Sequence, residues 1–413
     1  MNINFNSDFL DIMYERGFIH QVTYKENLKK AIHKGCIPGY IGFDCTAPSL
    51  HVGSLVQIMM LRWFQKTGNK PIVLMGGGTT KIGDPSGKDT ARPLLSNEKI
   101  KENQNSLRTV FDKYLNFGNA ENDAVMLDNS EWLEKLNYIS FLRDFGSSFS
   151  INKLINLESV KIRLEREQNL SFLEFNYSLL QAFDYLKLNQ DYSCKLQMGG
   201  SDQWGNIVTG VELVRKKTSE SVYGLTSPLL TTSSGAKMGK TASGAVWLNS
   251  NQLSDWDFWQ YWRNTEDLDV IKFIKLFTEL PLDEINRLEK LKGAEINQAK
   301  IILANEVTKL CRSEEAANKI SVSSENVFNR KETNETLPSI NITNNQISLI
   351  DALKSLNFVQ TNGEARRLIR GNGAKVNDSV ITDENQILKI EDYEKKSIKI
   401  SSGKKKHGLL KFS

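Results

Sequence analysis

Cysteine and histidine are scarce in this chain, four of each in 413 residues. Cys36, Cys45, Cys194 and Cys311 lie far apart with no C-x-x-C pair, and the histidines do not cluster, so neither a zinc site nor a disulfide framework is expected. Apolar runs are short. None approaches the ~18 residues that would cross a bilayer, and the opening Met1-Asn2-Ile3-Asn4-Phe5 has neither a basic region nor the apolar stretch of an export signal. Internal repeats, heptad arrays and the spacing of a Walker A loop are also missing. What remains is the expectation of a soluble, cytoplasmic protein with no membrane association and no tightly bound metal.

Length and charge add organisation. A chain of 413 residues exceeds the ~250 to 300 at which one core stops growing, which implies two or three domains. The net charge of +4 is unevenly placed: residues 346–413 hold thirteen Lys and Arg against eight Asp and Glu, a net of +5, leaving about −1 for everything before them. The tail is the natural place for a polyanion contact.

The first part alternates strand and helix signals, the pattern of a parallel sheet covered by helices. Tyr40 to Phe43 reads as a buried strand, Leu50 to Lys66 has helical spacing, and Pro71 to Met75 reads as the next strand before Gly76-Gly77-Gly78 breaks the chain. Ser254 to Phe328 reads as helical, with Trp256, Trp259, Trp262, Phe273 and Phe277 supplying apolar faces. Residues 329–346 have the polar composition of a linker, and Leu349, Leu353 and Leu356 open a new amphipathic helix. Arg366, Arg367 and Arg370 follow on a second short helix, and Gly371 and Gly373 turn the chain into Lys375, a basic face of the kind that binds folded RNA.

Four polar stretches fall at strand ends, where open α/β sheets bind ligands. Gly42-Phe43-Asp44-Cys45-Thr46-Ala47-Pro48-Ser49-Leu50-His51-Val52-Gly53-Ser54 leads into a helix N-terminus, whose unpaired N–H groups attract anions. Lys81-Ile82-Gly83-Asp84-Pro85-Ser86-Gly87-Lys88 holds Asp84 between glycines, with Lys88 and Arg92 available to phosphates. Gly199-Gly200-Ser201-Asp202-Gln203-Trp204 presents Asp202 to ribose hydroxyls. Lys237-Met238-Gly239-Lys240-Thr241 places two lysines three residues apart in a loop, suited to charge developing on a departing pyrophosphate.

Together these stretches resemble the bacterial and organellar tyrosyl-tRNA synthetases, class I aminoacyl-tRNA synthetases, over nearly the whole chain. The stretch ending His51-Val52-Gly53-Ser54 resembles the HIGH motif, Lys237 to Thr241 resembles the KMSKS motif, Gly200 to Asn206 is similar to a block specific to these enzymes, and the tail is similar to their S4 RNA-binding domain. The resemblance implies activation of L-tyrosine by ATP, carrying Mg2+ held mainly by phosphate and water, and transfer of tyrosine to tRNA(Tyr) by a homodimer. Attack by a carboxylate needs no general base, which suits a motif set without a nucleophile and base pair. Carried over by position, Tyr40 and Asp184 resemble the pair that bonds the substrate phenol. Tyr177, Gln181 and Asp84 resemble the ammonium site, with Asn129 and Gln203 nearby. Tyr177, Gln181 and Asp184 also share one helical face by their spacing. Gly42, Asp44, His51, Gly200 and Asp202 resemble contacts to adenosine and ribose. Thr46, Lys88, Arg92, Lys237, Lys240 and Thr241 resemble the pyrophosphate side. Ser54 stands where the motif usually has a second histidine.

The resulting expectation is an α/β protein. It has a Rossmann-like catalytic domain over 1–235, with a helical connective and dimer segment about 138–175. A mobile loop and helical anticodon-arm domain follow over 236–328, then a linker over 329–346 and an S4-like α+β domain over 347–413. Two alternatives stay open. A tryptophan enzyme shares the subclass fold, although Tyr40 with Asp184 and the basic tail favour tyrosine. A noncatalytic RNA-binding protein on the same scaffold would be expected to lack Lys240 or Asp202, and both are present.

Overall fold

The computed structural model describes residues 8–86, 95–235, 238–241, 244–329, 337–342, 344–393, 397–403 and 406–412, with side chains left out at 240, 241 and 325–329. It divides into two compact units, one of residues 1–253 with 265–303 and one of 254–264 with 304–413.

The first unit is built on a six-stranded sheet: β1 (Gln21–Val22), β2 (Pro38–Asp44), β3 (Lys70–Gly76), β4 (Val125–Asp128), β5 (Leu196–Gly200) and β6 (Tyr223–Ser227), in the order β1-β6-β5-β2-β3-β4. All pairings are parallel except that of β1 with β6. The apolar run Ile72-Val73-Leu74-Met75 is buried throughout, as a strand covered on both faces must be. Chain direction across the sheet reverses at β2, whose neighbours are β3 on one side and β5 on the other, and a crevice opens there beyond the carboxyl ends of the strands.

Alternation along β2 sends Tyr40 and Gly39 to opposite faces. On the Tyr40 side it packs with Ile72 and Leu74 against Leu179, Ala182, Phe183 and Leu186 of the Phe172–Tyr192 helix, itself started by a reciprocal capping box between Ser171 and Glu174. On the other face Gly39 lies under Phe64 of the Leu55–Lys66 helix: a Cβ there would stand 2.8 Å from the ring. Arg16 closes a longer loop. Its guanidinium lies 4.3 Å from the centre of the Trp63 ring and donates to the carbonyls of Lys275, Thr278 and Leu280 at 3.0, 3.0 and 2.7 Å, where the Val270–Phe277 helix ends. Glu279 then takes Arg62 at 2.6 Å and Lys66 at 2.9 Å.

Between β4 and the Phe172–Tyr192 helix, the segment expected as connective is helical at Tyr138–Phe145, Ile151–Leu154 and Glu158–Glu165. Several of its apolar side chains face outward, among them Tyr138, Leu142 and Leu164, with Ile139 71% and Phe172 68% exposed.

From Asp255 to Asn329 the described residues form helices and no strand, as the tryptophan-rich pattern predicts, but these helices are shared between the two units. In the second unit Trp259 donates to Asn305 at 2.8 Å and the buried Arg312 pairs with Asp255 at 2.9 Å. Beyond them a five-stranded sheet runs Ser379–Val380, Ala374–Val376, Ser397–Ser402, Lys406–Phe412, Ser339–Ile342, with the helices Leu349–Ser355 and Asn362–Arg370 packed on its core. The stretch with linker composition therefore supplies a strand. Ile340 and Ile342 alternate onto the core while Ser339 and Asn341 face out.

Filling the space under Phe64 is expected to be costly. Gly39→Ala should lower unfolding stability by about 1 to 3 kcal/mol, measured by urea denaturation, because a ring in a packed core must shift to admit the methyl group.

Candidate active site

A cavity of about 520 Å³ opens at the carboxyl ends of β2 and β5 in the first unit. Its floor is a set of polar side chains tied to one another. Asp184, 2% exposed, accepts from Trp132 Nε1 at 2.7 Å and Asn129 Nδ2 at 3.0 Å. Asn129 also accepts from the backbone of Gly78 at 2.8 Å and donates to Thr79 Oγ1 at 3.1 Å, so it stitches the glycine loop after β3 to the Asp184 helix. Thr79 Oγ1 donates to Asp44 Oδ1 at 2.8 Å, and Tyr177 donates to Asp44 Oδ2 at 3.1 Å. Gly76 must be glycine here: a Cβ would stand 2.3 Å from Asp44 Oδ1 and 2.5 Å from Thr79 Oγ1. On the opposite side Gln203 Nε2 donates to Asp84 Oδ2 at 2.8 Å, and Asn206 donates to both Gln203 and Gln181 at 3.1 and 3.0 Å.

Tyr40 is the exception. Its ring is 1% exposed and meets Tyr185 edge-on at 5.3 Å, yet its hydroxyl finds no hydrogen-bond partner among the described residues. Leaving a buried donor unmade costs about 1 to 3 kcal/mol, so a ligand hydroxyl has a place ready here. Burial holds the Tyr40 phenol well above its ordinary range, and the nearby Asp184 charge adds to this. Burial likewise pushes the Asp184 carboxyl up to about 8, against the downward pull of Asn129 and Trp132. Tyr177 is raised first by burial, then by Asp44 and Asp84.

At the mouth, His51 Nδ1 accepts from the backbone of Gly53 at 3.0 Å, which puts the proton of the neutral ring on Nε2 as a donor. Ser54 caps the Leu55–Lys66 helix without a side-chain bond and lines the cavity with Thr46. Space beside Gly42 is open, with nothing within 4 Å of where a Cβ would be, so a flat ligand can lie on the backbone there. Asp202 folds back over Gly200, whose Cβ position is 2.5 Å from its Oδ1. The chain after the lysine loop runs beside the His51 turn: Val52 donates to Val246 at 2.9 Å, Val246 to Gly239 at 3.0 Å, and a Cβ on Gly239 would stand 3.0 Å from His51 Nδ1.

Residues 34–329 match the family of tRNA synthetases class I (W and Y). The curated tyrosine–tRNA ligase of Novosphingobium aromaticivorans is 56% identical over 405 residues, 98% of each chain. This chain belongs to the tyrosine–tRNA ligase family of class I synthetases. The tyrosine–tRNA ligase of Zymomonas mobilis is 54% identical over 406 residues, again 98% of each chain. The structure of a C-terminally truncated mitochondrial tyrosyl-tRNA synthetase of Aspergillus nidulans superposes with a TM-score of 0.70 at 30% identity, over 78% of this chain and 95% of that one. Class I synthetases use ATP as substrate, in line with the phosphate-suited motifs at the mouth.

Of the residues expected in a tyrosine–tRNA ligase site, Tyr40, Gly42, Asp44, Thr46, His51, Ser54, Asp84, Asn129, Tyr177, Gln181, Asp184, Gly200, Asp202 and Gln203 all line this one cavity. Lys88, Arg92 and Lys237 lie outside the described residues, and Lys240 and Thr241 are described by backbone alone, as a short strand paired with Gly244–Ala245. The basic residues of the tail belong to the second unit. Arg366 and Arg370 both reach Glu384, at 3.7 Å for Arg366, and Lys375 sits on the Ala374–Val376 strand. Pairing with Glu384 holds the Arg370 guanidinium above its usual range and offsets part of the charge that the arginine count suggested.

Sequence reasoning missed Trp132 and Thr79. Trp132 stands three residues after Asn129 on the four-residue Ser130–Leu133 helix, which brings both donors to Asp184. That i, i+3 spacing is the available signal, but so short a helix leaves no periodicity to read.

The raised Asp184 carboxyl has a consequence for stability. Below its ordinary pKa of 3.8 it is protonated folded or unfolded, and between there and about 8 only the folded chain keeps the proton. Stability contributed by the neutral form is therefore lost as pH rises through this window, by up to about 1.4 kcal/mol per pH unit. Asp184→Asn removes the titration, so its melting temperature relative to the parent should rise between about pH 5 and about pH 8 in thermal scans.

Proposed function

We propose that this protein activates L-tyrosine with ATP to give tyrosyl-adenylate and pyrophosphate, then transfers the tyrosyl group to the 3′-terminal adenosine of tRNA(Tyr). The observation that carries the choice of amino acid is the unpartnered Tyr40 hydroxyl beside the buried, doubly held Asp184. A phenol placed there accepts from Tyr40 and donates to Asp184, while a phenyl ring leaves both unmet. Tyr177, Gln181 and Asp84 supply acceptors for the ammonium group, with Gln203 holding Asp84, Asn206 holding Gln181, and Asn129 nearby.

In the first step a carboxylate oxygen of tyrosine attacks the α-phosphorus, and the bond to the β-phosphate oxygen breaks. No proton need move, so the protein's work is placement and charge stabilisation. Gly42, Asp44, Ser54, Gly200 and Asp202 hold adenosine and ribose. His51 Nε2–H and Thr46 donate to phosphate oxygens, and Lys88, Arg92, Lys237, Lys240 and Thr241 take the charge of the leaving pyrophosphate. Mg2+ enters on the ATP, bound by phosphate oxygens and water. In the second step a ribose hydroxyl of the tRNA attacks the tyrosyl carbonyl and AMP leaves.

The C-terminal α+β part, about 347–413, serves as an S4-like RNA-binding domain through Arg366, Arg367, Arg370 and Lys375, and helices between 236 and 328 contact the anticodon arm. The catalytic domain spans about 1–235, and the protein acts in the cytoplasm. The outward apolar side chains of 138–173 form the interface of a homodimer, because a run of this kind left in water favours association.

Purified protein with Mg2+ should show tyrosine-dependent exchange of pyrophosphate into ATP, and phenylalanine should fall short by roughly 10⁴-fold or more in kcat/KM. Sites built to bond a substrate hydroxyl reject the analogue by that order, tyrosine enzymes of this class being the known case rather than a result of this geometry. Equal exchange with phenylalanine, or with tryptophan, would sink the assignment. For the interface, Ile139→Lys should shift the sedimentation of the protein from dimer to monomer at micromolar concentration; an unchanged dimer would place the interface elsewhere.

A further inference from the structure

Asp269 ends the 3-10 turn Asp267–Asp269, which runs directly into the Val270–Phe277 helix, whose N–H groups its side chain could cap. It makes no such bond. Its Oδ2 accepts instead from Ser233, 2.8 Å from the backbone nitrogen and 3.0 Å from Oγ. Asp269 is only 4% exposed, so its carboxylate end of both charge-assisted bonds lies away from water. From the same helix, Lys272 Nζ donates to the Thr231 carbonyl at 3.1 Å. One helix thus grips the chain at two points just before Lys237.

This helix is itself braced. Arg16 holds the carbonyls at its far end, and Glu279 beyond it takes Arg62 and Lys66 of the helix that begins at Leu55, directly after the His51 turn. Met238 returns a bond to the Leu230 carbonyl at 3.2 Å, and Gly239 packs against Gly53 and His51. The segment Thr231–Gly235 is therefore referred, through Asp269, to the same body that carries the His51 turn.

We propose that Asp269 is a positioning residue for tyrosine activation: by holding Ser233 it sets where Met238 and Gly239 stand beside the His51 turn, without touching substrate itself. This rests on the assignment of Lys237 and Lys240 to the phosphates of ATP.

Asp269→Ala should lower the kcat of pyrophosphate exchange by about 10- to 100-fold, the scale of a displacement of about 1 Å in a catalytic group. The KM for tyrosine and equilibrium tyrosine binding, set by the floor around Asp184, should stay within about two-fold. Asp269→Asn keeps an acceptor oxygen and should return kcat to within about five-fold of the parent. Ser233→Ala, at an exposed position, removes the Oγ bond alone and should cost about three- to ten-fold in kcat; if Asp269→Ala does not fold, this variant decides. Parent-like kcat in Ser233→Ala and Asp269→Ala overturns the proposal, as does tyrosine binding lost in step with kcat in Asp269→Ala. Lys240→Ala separates the two layers. Full exchange in that variant overturns the phosphate assignment and the anchor with it, whereas inactivity there beside parent-like anchor variants overturns the anchor alone.

Discussion

Parallel backbone pairing of β2 with β3 on one side and β5 on the other is the constraint from which the site follows. The pairing fixes Tyr40 level with Ile72 and Gln197, and it brings the loops after three separate strands to one end of the sheet. Each contributes a carboxylate to the cavity: Asp44 as the last residue of β2, Asp84 beyond β3, Asp202 after β5. Three acidic groups so placed would repel one another in a dry pocket. The structure answers with donors, Tyr177 and Thr79 for Asp44 and Gln203 for Asp84.

The floor follows a different principle from the mouth. Around Asp184 the polar groups are held largely by neighbours whose own positions are fixed, with the Tyr40 hydroxyl and Gln197 Oε1 left without a partner among the described residues, so the pocket is largely preformed and pays little to order itself around a ligand. At the mouth, open backbone at Gly42 stands beside the side chains of His51, Thr46, Ser54 and Asp202. One cavity thereby passes from a floor of buried hydrogen bonds to a mouth of open backbone and polar side chains.

Much of the first unit was legible because its signals are local and dense. Apolar runs of strand length, glycines at their ends and the helical spacing of Tyr177, Gln181 and Asp184 all lie within a few residues of each other. What was not legible depends on distant partners. Ser339–Ile342 is a strand only because Lys406–Phe412 arrives beside it some seventy residues later, as the pairing of Ser339 with Leu409 shows. Trp132 owes its place to a single helical turn. Arg366 and Arg370 read as an open basic face in the sequence and are partners of Glu384 in the fold. The helices after Ser254 were read as one domain because composition reports secondary structure, not which core a helix joins.

Arg16 carries a consequence for how the protein is made. Its guanidinium is buried against Trp63, but the carbonyls that satisfy it belong to residues 259 to 264 positions further along the chain. On a ribosome adding residues in order, the first helix and the sheet beside it are synthesised long before Leu280 emerges. Until then a buried charge has no acceptors, and the docking of that helix is uphill. The seating of the first helix is therefore completed by three carbonyl oxygens that lie more than 250 positions further along the chain.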